Sequence, residues 1–116
     1  MTGSGERSHL LTPDVGLETH VLDVVNLLRW EELDDVVLCG HSYSGTVITQ
    51  AADRTPERIK ALVYFDAFVP ADAQSTMDLT PAWRAEEIRE LARTEGEGWF
   101  VPPHHSERWV ADPADR

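Results

Sequence analysis

Two short apolar runs constrain this chain more than any other feature of its sequence. Val36-Val37-Leu38-Cys39 lies between Asp35 and Gly40, and Ala61-Leu62-Val63-Tyr64-Phe65 ends at Asp66. Neither run alternates apolar with polar residues. A strand with one wet face reads with a period of two. An uninterrupted β-branched run of this length reads instead as a strand covered on both faces, the habit of parallel sheets. Between the runs, the stretch from Gly45 to Arg54 reads as a helix with the small residues Thr46, Ala51 and Ala52, and Pro56 stops it. Strand, helix and strand in about thirty residues make a βαβ unit with a right-handed crossover.

A further helix is expected before this unit. Leu17, Val21, Val24, Val25 and Leu28 recur at helical spacing, while Glu18, Asp23 and Arg29 can face water. Residues 1–16 read as loop, broken by Gly3, Gly5, Pro13 and Gly16. The character changes after Pro70. Residues 71–116 hold three of the four Trp and no strand-like run, so they read as irregular, aromatic-rich covering. One helix is expected there from Pro81 to Arg93, with the Arg84 stem, Ile88, Leu91 and Ala92 as its apolar stripe. The chain thus divides into residues 1–70, a partial α/β core, and residues 71–116. Two strands buried on both faces need neighbours at both edges and helices on both sides. The expected fold class is α/β, as a piece of a larger parallel-sheet domain.

Charge and length narrow the function. A chain of 116 residues predicts one domain. Its 10 Lys and Arg against 21 Asp and Glu give a formal charge of −11, with no basic cluster to engage nucleic acid or anionic lipid. The apolar runs are far shorter than the roughly 20 residues needed to span a bilayer. The single cysteine, Cys39, precludes an internal disulfide. The opening Met1-Thr2-Gly3-Ser4-Gly5-Glu6-Arg7 lacks the apolar core of a secretory signal, so a cytoplasmic location is expected.

Gly40-His41-Ser42-Tyr43-Ser44-Gly45 falls where the first strand ends and the helix begins. A serine in so sharp a turn is forced into strained backbone geometry. Its flanks must be small, because strand and helix pass close together. The turn lifts the Ser42 hydroxyl above the sheet edge. The backbone N–H of Tyr43, at the helix N-terminus, points toward any oxyanion formed on a bound ester, and the helix dipole adds to its stabilisation. A phosphate-binding turn is disfavoured, since neither Gly-x-Gly-x-x-Gly nor Gly-Lys-Ser/Thr is present.

Three segments carry a family resemblance: Thr2-Gly3-Ser4-Gly5-Glu6-Arg7-Ser8-His9, Gly40 to Gly45, and Leu62-Val63-Tyr64-Phe65-Asp66-Ala67-Phe68-Val69-Pro70. Through them residues 1–75 resemble the α/β-hydrolase superfamily, in particular its small esterases and hydroxynitrile-lyase-like proteins. The resemblance implies a partial hydrolase core with Ser42 as nucleophile, no cofactor, and a partial cap over residues 71–116. The family pattern usually has Gly two residues after the nucleophile. Here Ser44 stands there with Gly45 next, so added strain of no more than about 1–3 kcal/mol is expected. The family triad runs Ser, acid, His, and neither its early strands nor its final His is found in this sequence. Some relatives carry the acid at the end of the strand after the nucleophile, which makes Asp66 a candidate; alternatively Asp66 caps the strand end. His104 and His105 follow Pro102-Pro103 with no strand before them, and an exposed cap loop is their expected setting.

His41 either lines the pocket floor or packs beneath the turn. His9 and His20 lack a metal-ligand partner at useful spacing, so no metal site is expected. Cys39 reads as a small hydrophobe packed within its strand. Trp83, Trp99, Phe100 and Trp109 either line an acyl or alcohol pocket or cover the sheet. Glu86, Glu87 and Glu90 read as a solvated helix face. The expected reaction is hydrolysis of a small-molecule carboxylic ester through an acyl-enzyme. Ser42 attacks, the Tyr43 N–H holds the oxyanion, and the base, with the acid, is expected outside this sequence. A cyanohydrin-cleaving lyase of the same fold and a non-catalytic relative remain as alternatives. Open sheet edges imply self-association.

Overall fold

The computed structural model describes residues 1–102, 110–112 and 114. Chain contacts divide it into two compact units, Met1–Thr80 and Pro81–Arg116. The first unit contains helix α1 (Leu17–Trp30), strand β1 (Val36–Ser42), helix α2 (Ser44–Arg54), strand β2 (Ile59–Ala67) and the single turn α3 (Thr76–Leu79). The two strands pair in parallel, with Leu38 opposite Leu62 and Gly40 opposite Tyr64. The βαβ unit is present, as the two apolar runs and the intervening helix predict.

Helix α2 packs against both strands, and α1 packs against α2. Val21 and Val25 of α1 interlock with Val47 and Ala51 of α2, and Leu28 and Ile48 complete the buried set. Fully burying each Val or Leu side chain is worth about 1.5–3 kcal/mol. Arg54 adds a bidentate pair to Glu18, both contacts at 2.7 Å, across the wet side of the helix pair. The hydroxyl of buried Thr55 donates to the Ala51 carbonyl at 2.8 Å, closing α2 just before Pro56.

Burial of the strands corrects the expectation of two covered faces. In β1, Val36, Leu38 and Gly40 face α2, whereas Val37, Cys39 and His41 are exposed. In β2 the same alternation leaves Val63 and Phe65 exposed, Phe65 by 67%. Only one layer of helix covers the sheet in this unit. The uninterrupted apolar runs therefore describe what each strand is suited to meet, not what it meets here. Cys39 is accordingly exposed rather than packed.

Residues 1–16 also depart from the expected loop, because Gly5–Leu10 forms a 3-10 helix. Positive φ at Gly3 (82°) and Gly5 (56°) turns the chain into it, and the Gly3 N–H donates to the Arg7 carbonyl at 3.1 Å. In the second unit, α4 spans Ala82–Thr94. Its inward residues are Ala85, Ile88, Leu91 and Ala92. Ala85 takes the place expected for the Arg84 stem, because the Arg84 guanidinium turns outward to Glu87 at 2.6 Å.

Candidate active site

Gly40 brings β1 against the start of α2. A Cβ on Gly40 would lie 2.8 Å from the Ser44 carbonyl oxygen and 2.9 Å from Ile48 Cδ1. A Cβ on Gly45 would lie 2.3 Å from the Phe68 carbonyl oxygen, because β2 leaves the sheet directly against the helix. These two glycines are where the backbones touch. Ser44 is already the first residue of α2, and the positive φ of the turn falls on Ser42 itself, at 52°. Such a conformation costs a non-glycine residue about 1–3 kcal/mol.

Strain at Ser42 is held from the neighbouring strand. The Ser42 carbonyl accepts from the Phe68 N–H at 3.0 Å. The register shifts between His41 and Ser42: His41 pairs with Phe65 and Ser42 with Ala67, leaving Asp66 as the extra residue of a bulge, at φ 42°. Tyr43 follows with helical backbone angles, φ −52° and ψ −33°. Its N–H finds no backbone carbonyl among the described residues, nor do those of Ser44 and Gly45, whereas the Thr46 N–H donates to the Tyr43 carbonyl at 3.0 Å. A half-buried serine beside an unclaimed N–H at a helix start is the arrangement that accepts negative charge on a carbonyl oxygen.

Other residues singled out in the sequence fall in varied places. The His41 side chain lies on the open face of the sheet, 5.7 Å from the Phe65 ring between centroids, and so does not pack beneath the turn. The Asp66 side chain is exposed and makes no hydrogen bond or ion pair among the described residues. No histidine hydrogen-bonds Ser42 among them either. Trp83, 72% exposed, and Trp99, in ring contact with Phe100 at 5.0 Å, belong to the second unit. His104, His105 and Trp109 lie outside the described residues. A concavity of about 530 Å³ opens between Thr49–Arg54 and Pro70–Gln74, but Ser42 is not among its walls.

One residue of the turn's surroundings escaped the sequence reading. His20 of α1 lies 2.9 Å from the Tyr43 hydroxyl through Nδ1 and 3.0 Å from the Thr2 carbonyl through Nε2. The signal was available. His20 falls between Leu17 and Val24 on the apolar stripe of α1, and a polar ring in that position must find partners. Burial pushes the Tyr43 phenol above its ordinary pKa of 10.0, so it stays protonated and able to donate.

The family model described as "Alpha/beta hydrolase family" matches residues 2–116. This chain belongs to the alpha/beta hydrolase family. As a hydrolase-family chain it is 55% identical over 80 residues to the carbendazim hydrolyzing esterase of Nocardioides sp. (strain SG-4G), covering 69% of this chain and 33% of that protein. It is 43% identical over 58 residues to protein phosphatase methylesterase 1 of Aspergillus fumigatus, covering 44% of this chain and 14% of that one. A solved extracellular alpha/beta-hydrolase from a Paenibacillus species, whose structural and functional homology is to tobacco salicylic acid binding protein 2, superposes with a TM-score of 0.75. It shares 35% identity and covers 82% of this chain and 38% of its own. The chain thus spans about a third of the esterase it matches, and what it displays is a partial alpha/beta-hydrolase core.

Proposed function

We propose that this chain carries the nucleophile of a serine hydrolase acting on a small carboxylic ester. Ser42 attacks the ester carbonyl, and the charge that develops on the carbonyl oxygen is met by the Tyr43 N–H. Collapse of the tetrahedral intermediate expels the alcohol and leaves an acyl group on Ser42 Oγ, which water then removes. The observation that carries this reading is the positive φ of Ser42 next to an unclaimed Tyr43 N–H. Esterase names among the relatives support it. On the same reading residues 71–116 contribute to a cap over the pocket, with Trp83 and Trp99 as candidate lining residues and His41 as a candidate contact at the sheet face. Asp66, at the strand end beyond the nucleophile, remains the candidate acid.

A fluorophosphonate probe tests this directly, because it phosphonylates only an activated serine. With imidazole supplied as the base that this sequence does not provide, mass spectrometry of the labelled chain is expected to place a single adduct on Ser42, absent from Ser42→Ala. Absence of the adduct in the wild-type chain, or label that persists in the variant, overturns the proposal.

A further inference from the structure

We propose that His20 is the positioning residue of the nucleophile turn, holding Tyr43 from helix α1 so that the Tyr43 N–H keeps its aim at the reacting carbonyl oxygen. This rests on the hydrolase reading above and adds a residue that the turn itself does not contain.

The chemistry of the two contacts fixes their direction. The Thr2 carbonyl can only accept, so the neutral His20 ring carries its proton on Nε2 and donates it there, at 3.0 Å. Nδ1 is then a lone pair, and the Tyr43 hydroxyl donates to it at 2.9 Å. The two rings meet edge to face, with centroids 5.6 Å apart and planes at 82°. His20 therefore sits between two groups that its neutral form satisfies at once.

The Phe68 N–H holds the peptide between Ser42 and Tyr43 at the Ser42 carbonyl, 3.0 Å away, and nothing within the turn holds it on the Tyr43 side. Tyr43 is the N-cap of α2, and no side chain caps that end. Its backbone lies between a residue at positive φ and the first turn of the helix, with its own N–H unclaimed among the described residues. Its phenol ring packs against the cluster of Val21, Val25, Val47 and Ala51. Apolar packing limits where the ring can lie but not how far it can slide or rotate, whereas a directional bond at its far end does. With the ring held at its tip by His20, the Tyr43 Cα is restrained from its far side, and the peptide between Ser42 and Tyr43, hooked at its carbonyl by the Phe68 N–H, is held at both ends.

The anchor is itself anchored. Thr2 donates from its N–H and its Oγ1 to the Asp23 carboxylate, one helical turn beyond His20, and accepts from Arg7 Nη2 at 2.9 Å. The N-terminal segment, α1 and the nucleophile turn are thereby joined through one imidazole.

The test uses three variants of the full chain, read by two independent measurements. His20→Leu removes both bonds while keeping bulk. Tyr43→Phe removes only the hydroxyl. His20→Gln restores an amide oxygen to accept and an amide N–H to donate. With imidazole again supplied as the base, fluorophosphonate labelling of Ser42 is expected to slow about fivefold in His20→Leu and in Tyr43→Phe, the loss appropriate to one hydrogen bond. The double variant should be no slower than either single one, and His20→Gln should recover most of the rate. Independently of reactivity, amide NMR should show the Tyr43 N–H resonance shifted and broadened in both single variants, with those of Val25 and Ala51 unmoved. Multiplicative losses in the double variant, no rescue by Gln, or an unchanged Tyr43 amide each overturn the proposal. A wild-type chain that takes no label sinks the hydrolase reading instead, and the Tyr43 amide still decides whether His20 holds it. If His20→Leu does not fold, Tyr43→Phe and His20→Gln carry the same comparison.

Discussion

Gly45 illustrates how few atoms hold the proposed nucleophile, Ser42, in place. Its missing Cβ leaves room for the Phe68 carbonyl oxygen, a backbone atom that cannot swing aside. Gly45→Ala is expected to destabilise the fold by at least the ~1–3 kcal/mol typical of overpacking, read as a lower urea midpoint with an unchanged slope. A midpoint equal to that of the wild type would show that β2 leaves the sheet with more slack than the coordinates hold. At this scale much of the site was legible. Ser42 stood out because a serine between Gly40 and Gly45 has a physical reason to be there, the close crossing of strand and helix. The strain expected at the serine is there, with Ser42 at φ 52°, whereas the added strain expected at Ser44 is not, because Ser44 opens α2 and the close contacts fall on Gly40 and Gly45. The partner of His20 is not legible from motif spacing, for another reason. Motif spacing asks which residues share a loop, and the Tyr43 hydroxyl is met from a helix 23 positions away in sequence.

At the scale of elements, the N-terminal segment depends on a single carboxylate. Burial alone would raise the pKa of Asp23. The hydrogen bonds from the Thr2 N–H and Oγ1, together with the Arg7 charge, outweigh it and hold the carboxyl below its ordinary value of 3.8. A folded pKa lowered in this way contributes stability that is complete above the unfolded value and is lost as pH falls through the folded one. The 3-10 helix should therefore loosen on α1 as pH falls from about 5 to about 2, and faster amide exchange over residues 2–11 would report it. Asp23→Asn should flatten that dependence, and an identical acid profile in the variant would discard the account. Element types were well predicted by periodicity: α1 and α2 begin within a residue of their expected starts and the strands pair in parallel. The covering of the strands was not. An apolar run records which neighbours a strand suits, and which of them are present is a property of tertiary structure.

For the molecule as a whole, the open face of the sheet governs behaviour in solution. Val37, Val63 and Phe65 form an apolar strip on one side of a two-stranded sheet whose outer edges have no partner among the described residues. Unpaired edges beside exposed apolar side chains template association. Sedimentation is expected to show a mass that rises with concentration, and Phe65→Glu should reduce it by placing charge in the middle of the strip. A concentration-independent monomer with a sharp cooperative melt would refute this.

The bond from the Phe68 amide to the Ser42 carbonyl also sets where this family member can tolerate changes in length. Everything up to Phe68 is geared to the serine: deleting one residue between Phe65 and Phe68 removes the bulge that gives β2 its extra residue and unhooks the carbonyl that keeps the nucleophile bent. Beyond Val69 no described residue hydrogen-bonds the turn. Insertions there are expected to leave the bent backbone of Ser42 undisturbed.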